Sequence, residues 1–218
     1  RVTRNSELYI DEEEGANLLK AVETQVHNRL KGEAVRLEVE PACPAEIREE
    51  LLRTLNLRPE DLYLIDGPLH PGRLMDLGVG EAAPELRDPP FLAPIGPALR
   101  DQPDHFAVIR RQDVLLHHPY ESFESVVAFL EQAAADPRVL AIKQTLYRTG
   151  GDARIVGALM EAVKRGKQVT AVVELKARFD EANNIEWSRR LEEAGVHVVY
   201  GLVGYKIHCK MTLVVRRD

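Results

Sequence analysis

Cysteine is scarce in this chain. Of 218 residues only Cys43 and Cys209 carry a thiol, and they stand far apart. That excludes a disulfide framework and makes a reducing cytoplasm the default setting. No CxxC or HExxH spacing occurs, so a zinc site assembled from His197, Cys209 and His117 or His118 has no motif behind it. No Gly-x4-Gly-Lys-Ser/Thr loop is present, so any nucleotide must be held by other means. No apolar run approaches the roughly 18 residues of a membrane-spanning helix, and no signal peptide opens the chain. The first residue is Arg1 rather than Met, and the chain stops at Asp218 just after an apolar strand. This suggests a piece of a longer protein.

Apolar residues make up 44% of the chain and charged residues 29%, enough for a core in one or two domains. The net charge of −6 is unevenly spread. Residues 1–137 hold 14 Lys+Arg against 26 Asp+Glu, and residues 138–218 hold 15 against 9. The second part is therefore net cationic and is the place for an anionic ligand.

The patterning predicts a small α+β unit over 1–77. "DEEEGANLLKAVETQVHNRLKG" repeats apolar residues at helical spacing, with acids in its first turn and Gly32 as a stop. "AVRLEVE" alternates as a half-buried strand, "PAEIREELLRTLNL" is a helix opened by Pro44, and "DLYLIDG" is a short strand. Residues 78–103 carry six of the thirteen prolines and act as a connector. Gly78-Val79-Gly80-Glu81-Ala82-Ala83 matches a dinucleotide fingerprint on paper. It follows no strand, so it is coincidental.

Over 95–218 the pattern predicts an α/β layer with a mostly parallel sheet. "DVLLHHP", "RVLAIKQTLYR", "QVTAVVEL", "VHVVYG" and "KIHCKMTLVV" are expected as strands. "QVTAVVEL" is unbroken and is expected to be buried on both faces. Helices are expected at "SFESVVAFLEQAAAD", with Ser122 and Ser125 as caps, at "GDARIVGALMEAVKRGK" and at "NNIEWSRRLEEAG". Asp152 stands near the start of the second, and glycine closes the second and third.

Ligands gather at the carboxyl ends of parallel strands, and Arg148 and Arg178 follow two of those ends. Arg148, Arg178 and His208 are spaced thirty residues apart, about the length of one strand–helix unit, so they can converge. Guanidinium forks suit phosphate, and Lys206 and Lys210 flank His208. A neutral imidazole set between fixed cations suits attack on an anionic phosphate. Glu174, Asp180 and Glu181 flank Arg178 and could bind Mg²⁺ or, the favoured reading, hold Arg178 by ion pairing.

Together "HHPYESF", "AIKQTLYRTGGD", "VVELKARFDEANNIEW", "LEEAGVHVVYG" and "KIHCKMTLVVRR" resemble bacterial polyphosphate kinase of the phosphohistidine type. "RVTRNSELYIDEEE" and "LYLIDGPL" resemble its head domain. The resemblance implies a head-domain portion over 1–94 and the first part of a phospholipase D-like catalytic domain over 95–218. The phospholipase D signature is His-x-Lys-x4-Asp. Here His208 and Lys210 fit it, while Val215 stands where the Asp would be. The resemblance further implies His208 as the phosphorylated nucleophile, with Lys210 offsetting phosphate charge and Lys206 beside it. Arg148 and Arg178 are the Mg²⁺-associated positions it implies. A guanidinium has no lone pair to offer a metal, so that role would run through bound phosphate.

ATP or ADP and inorganic polyphosphate are the implied substrates, Mg²⁺ the implied cofactor, and a cytoplasmic homo-oligomer joined through the head domain the implied assembly. No nucleic-acid partner is expected, and membrane association would be peripheral at most. The family's second essential histidine and its adenine contacts have no counterpart in the chain, so the 218 residues alone are expected to be inactive. Two other readings stand beside this one: a phospholipase D-like phosphodiesterase, and a non-catalytic oligomerisation or phosphate-binding module.

Overall fold

The computed structural model describes residues 1–7, 18–28, 32–76, 84–148, 153–201 and 205–217. The chain divides into two compact units, Arg1–Tyr9 with Thr24–Pro90, and Ile10–Glu23 with Phe91–Asp218.

In the first unit β1 (Val2–Arg4), β2 (Ala34–Val39) and β3 (Leu62–Leu64) form a sheet in that order, antiparallel then parallel. Alternation in β2 turns Leu37 and Val39 inward. On the other face Arg36 lies 3.6 Å over the Tyr63 ring and pairs with Glu38 at 2.8 Å. Helix α2 (Ala45–Thr54) starts after Pro44, as its sequence predicts. Strand β1 was not anticipated, because three residues are too few to show a period. Helix α1 (Leu18–Asn28) falls within the expected first helix and buries Val22 fully. The acids at 11–14, the Gly78–Ala83 fingerprint and Asp152 lie outside the described residues.

Between 84 and 103 the described residues form turns and no strand or α-helix, as the prolines dictate. The second unit then runs α3 (His105–Arg111), α4 (Glu124–Ala135), β4 (Val139–Leu146), α5 (Ala153–Lys164), β5 (Gln168–Val173), α6 (Glu181–Glu193), β6 (His197–Tyr200) and β7 (Thr212–Arg216). Helix α3 is opened by Asp104, whose carboxylate accepts the Ala107 N–H at 3.0 Å. Its seven residues sit directly after a proline-rich stretch, which hides them in the sequence.

The sheet order is β6-β5-β4-β7. Strands β4, β5 and β6 are parallel and β7 is antiparallel to β4. Gly166 and Gly195 end α5 and α6 in the left-handed region, at φ 79° and 90°. Helices α4, α5 and α6 pack side by side over one face of the sheet, burying Leu130, Ile142, Val156, Leu159, Val173 and Leu191. Successive right-handed crossovers moving the same way across a sheet leave their helices on one side. That accounts for a departure from expectation: β5 buries Val169, Ala171 and Val173, but Thr170 and Val172 are only half-buried.

Two strand expectations are corrected. "DVLLHHP" is irregular and ends in a turn; Leu115 is 91% exposed, and Pro119 has no N–H to lend to a ladder. "KIHCKMTLVV" pairs only from Thr212 onward, so the His208 segment is an extended approach to β7 rather than part of it. Of the two expected caps, Ser122 Oγ accepts the Glu124 N–H at 3.1 Å, whereas Ser125 is buried inside α4. No helix among the described residues is long and apolar enough to cross a membrane.

Candidate active site

Because β4, β5 and β6 run the same way and β7 runs back, one end of the sheet collects three chain segments. They are the exit of β4 with Tyr147 and Arg148, the exit of β5 from Glu174 to Asp180, and the approach to β7 from Lys206 to Met211. Arg148 and Arg178 thus follow neighbouring strand ends, as their spacing implies, whereas His208 reaches the same end of the sheet by the approach to antiparallel β7. The Arg148 guanidinium donates from Nη2 to the backbone carbonyl of Arg178 at 3.1 Å. His208 stands on the far side of β4, with its ring 4.9 Å from that of Tyr147.

The approach to β7 is fixed by two side chains from the neighbouring strands. Thr145 at the end of β4 donates from Oγ1 to the Cys209 carbonyl at 2.6 Å and accepts the Met211 N–H at 2.7 Å. Glu174, only 5% exposed, accepts the N–H of Ile207 at 2.8 Å and that of Lys176 at 3.0 Å. The carboxylate expected to pair with Arg178 or Mg²⁺ therefore serves the backbone on both sides of it. Asp180 stands just before α6, where its side chain bonds no backbone N–H of the first turn and accepts from Asn183 Nδ2 at 2.8 Å. Asn184, fully buried, donates to the carbonyls of Tyr147 at 2.8 Å and Glu174 at 2.9 Å. It ties the exits of β4 and β5 together. Peptide carbonyls at strand ends have no ladder partner, and a buried amide satisfies two of them at once.

Tyr147 stands at the centre of the cationic group. The Lys210 ammonium lies 4.0 Å from its ring centroid, the Lys206 ammonium 5.6 Å and the Arg148 guanidinium carbon 5.5 Å. Lys210 also donates to the His208 carbonyl at 2.6 Å. His208, Lys206, Lys210, Arg148 and Arg178 are all exposed, so an incoming anion can reach them. A cleft of about 540 Å³ opens here, its lining both polar, with His208, Lys210, Arg148, Thr145 and Gln144, and apolar, with Val126, Leu130, Leu146 and Ile155.

Sequence reasoning missed Tyr147 and Asn184, although both lie in quoted stretches, "TLYR" and "EANNIEW". An aromatic followed by arginine at a strand end is the only signal the sequence offers for the first. His197 begins β6, opposite Thr170 and at the other end of the sheet from His208, so the zinc grouping does not assemble. His118 Nδ1 instead meets the Glu121 carbonyl at 2.8 Å. Val215 lies on β7, paired with Ala141 of β4, and supplies no carboxylate.

The described residues contain no group of three or more His, Cys, Asp or Glu able to hold a metal ion. Glu174 has both oxygens engaged, and arginine has no lone pair to offer. The donor set thus suits phosphate rather than a resident metal.

Comparisons with known proteins agree over the whole chain. The family profile for the polyphosphate kinase middle domain matches residues 1–77, and that for polyphosphate kinase C-terminal domain 1 matches residues 104–218. A polyphosphate kinase of Neisseria meningitidis serogroup C is 50% identical over 218 residues, and one of Streptomyces coelicolor is 52% identical over 224. Each alignment covers 100% of this chain, but only 32% and 30% of the relative. The chain thus spans about a third of the length of the curated relatives it matches. The crystal structure of polyphosphate kinase from Porphyromonas gingivalis aligns with a TM-score of 0.73 at 28% identity, covering 100% of this chain and 30% of that one.

Proposed function

The chain belongs to the polyphosphate kinase family, and on that premise we propose that the protein it is part of moves the terminal phosphate of ATP reversibly onto polyphosphate through His208. A neutral imidazole nitrogen attacks the γ-phosphorus. The bond from that phosphorus to the β–γ bridging oxygen breaks, and ADP leaves with the bond's electrons. The phosphoramidate on His208 is then attacked by a terminal oxygen of the polymer. The nitrogen–phosphorus bond breaks, and the imidazole is regenerated with the chain one phosphate longer.

Lys210, Lys206 and Arg148 face the transferring group from the exits of β4 and the approach to β7. Arg178 holds the next phosphate along. Their part is electrostatic: fixed cations offset charge on the phosphoryl oxygens at no cost in reorganisation. Mg²⁺ arrives coordinated to the nucleotide phosphates, as part of the substrate.

The observation that carries this reading is the gathering of His208, Lys206, Lys210 and Arg148 around one aromatic ring at the carboxyl end of β4. A phosphodiesterase of the phospholipase D kind is disfavoured by Val215 at the acid position of its signature. The test is labelling of the full-length enzyme with Mg-ATP carrying a radioactive γ-phosphate. The expected adduct is acid-labile, base-stable and absent from His208→Ala. Full labelling of His208→Ala would place the nucleophile elsewhere.

A further inference from the structure

Three side-chain cations crowd one strand end beside the His208 imidazole, and the cations repel one another. A carboxylate among them would hold them, but it would also cancel the charge that phosphate needs and repel the phosphate itself. Glu174 is turned instead to the backbone of Ile207 and Lys176. What lies among the cations is the half-buried ring of Tyr147.

We propose that Tyr147 is a positioning residue for phosphoryl transfer, a neutral ring that holds His208, Lys210 and Lys206 in place while leaving their charge available to the substrate. The face of an aromatic ring is negative and its edge positive, so it attracts ammonium groups without carrying net charge. Lys210 at 4.0 Å is well inside the range of such contacts, and Lys206 at 5.6 Å is within it. The imidazole meets the tyrosine ring nearly perpendicular, at 82° and 4.9 Å between centroids, an edge-to-face contact that restricts how His208 can turn. Lys210 is held a second time by the His208 carbonyl at 2.6 Å, so ring, lysine and histidine form one closed unit. Tyr147 is itself anchored through its backbone, since its carbonyl accepts from the side-chain amide Nδ2 of fully buried Asn184 at 2.8 Å. A nucleophile held in its attack geometry gains in rate constant rather than in substrate affinity.

This inference rests on His208 being the nucleophile. Single-turnover phosphorylation of the full-length enzyme by Mg-ATP, followed at several nucleotide concentrations, tests it with Tyr147→Leu, Tyr147→Phe and the His208→Ala control. The Leu variant is expected to lose about tenfold in limiting rate, with the half-saturating Mg-ATP concentration nearly unchanged. Tyr147→Phe keeps the ring face and is expected to restore the rate to within about threefold of the parent. If Tyr147→Leu does not fold, as its thermal midpoint will show, Tyr147→Met fills the space without a π face and is expected to be as slow. A normal rate in the Leu or Met variant, or a Phe variant as slow as Leu, overturns the inference. Persistent labelling of His208→Ala removes the underlying reading instead, so the two failures are distinct.

Discussion

The carboxylate of Glu174 accepts the backbone N–H of Ile207 at 2.8 Å, joining the exit of β5 to the residue just before His208 across 33 positions of sequence. A second N–H, from Lys176, reaches the other oxygen. Bonds of this kind to a charged acceptor are worth about 1.5–3 kcal/mol each. Glu174→Ala is therefore expected to lower unfolding free energy by about 2–4 kcal/mol. It should also slow His208 phosphorylation per folded molecule by tenfold or more. Urea titration and single-turnover labelling check the two effects separately. A stability loss with normal labelling would show that the strap holds the fold but not the nucleophile.

Arg148 and Arg178 are exposed, and Arg148 reaches the Arg178 carbonyl. Arg148→Lys and Arg178→Lys keep the charge but lose the planar fork that grips two phosphate oxygens. Losing one charged hydrogen bond is expected to slow transfer roughly tenfold to a hundredfold. The thermal midpoint should move little. Kinetics of polymer synthesis and a melting curve for each variant give the answer; normal kinetics with a much lower midpoint would make the arginines structural.

Acid stability should depend on Asp136. Burial opposes its ionisation, but the Arg138 amide N–H and the guanidinium groups of Arg216 and Arg138 outweigh that and hold its carboxyl well below the usual range. Its folded form thus gains from the charged state. The contribution is fully present above the ordinary aspartate value of about 3.9 and fades as pH falls below it toward the folded one. Asp136→Asn should flatten the loss of stability between about pH 4 and pH 2. Urea midpoints at a series of pH values measure it. An unchanged slope would mean that other carboxylates govern acid unfolding.

The α/β layer was legible because its strands are apolar runs and its helices carry helical periodicity closed by Gly166 and Gly195. The placing of Arg148 and Arg178 after neighbouring strand ends was legible for the same reason: equal spacing in a repeating strand–helix unit puts like positions at one end of a sheet, whereas His208 reaches that end by the approach to antiparallel β7. The work of Glu174 was hidden, since its partners are backbone amides and backbone carries no letter in a sequence. Tyr147 was hidden because its role depends on β7 returning beside β4, which periodicity does not encode. "DVLLHHP" misled through composition. Val114, Leu115 and Leu116 favour strands, but they join no strand among the described residues. Whole-chain likeness to relatives three times as long gives the family.

Strand β7 is the edge of its sheet and pairs with β4 alone among the described strands, yet it is the leash that brings His208 to the cations. Edge strands open more readily than the layers beneath them. Peeling β7 away would undo the contacts of Thr145 with Cys209 and Met211 while β4, α5, β5, α6 and β6 stayed folded. The reacting centre can therefore dissolve without the domain melting, and its amide protons should exchange with solvent ahead of those in β5. The placing of His208 and the foldedness of the layer beneath it are separate equilibria, linked by five residues of ladder.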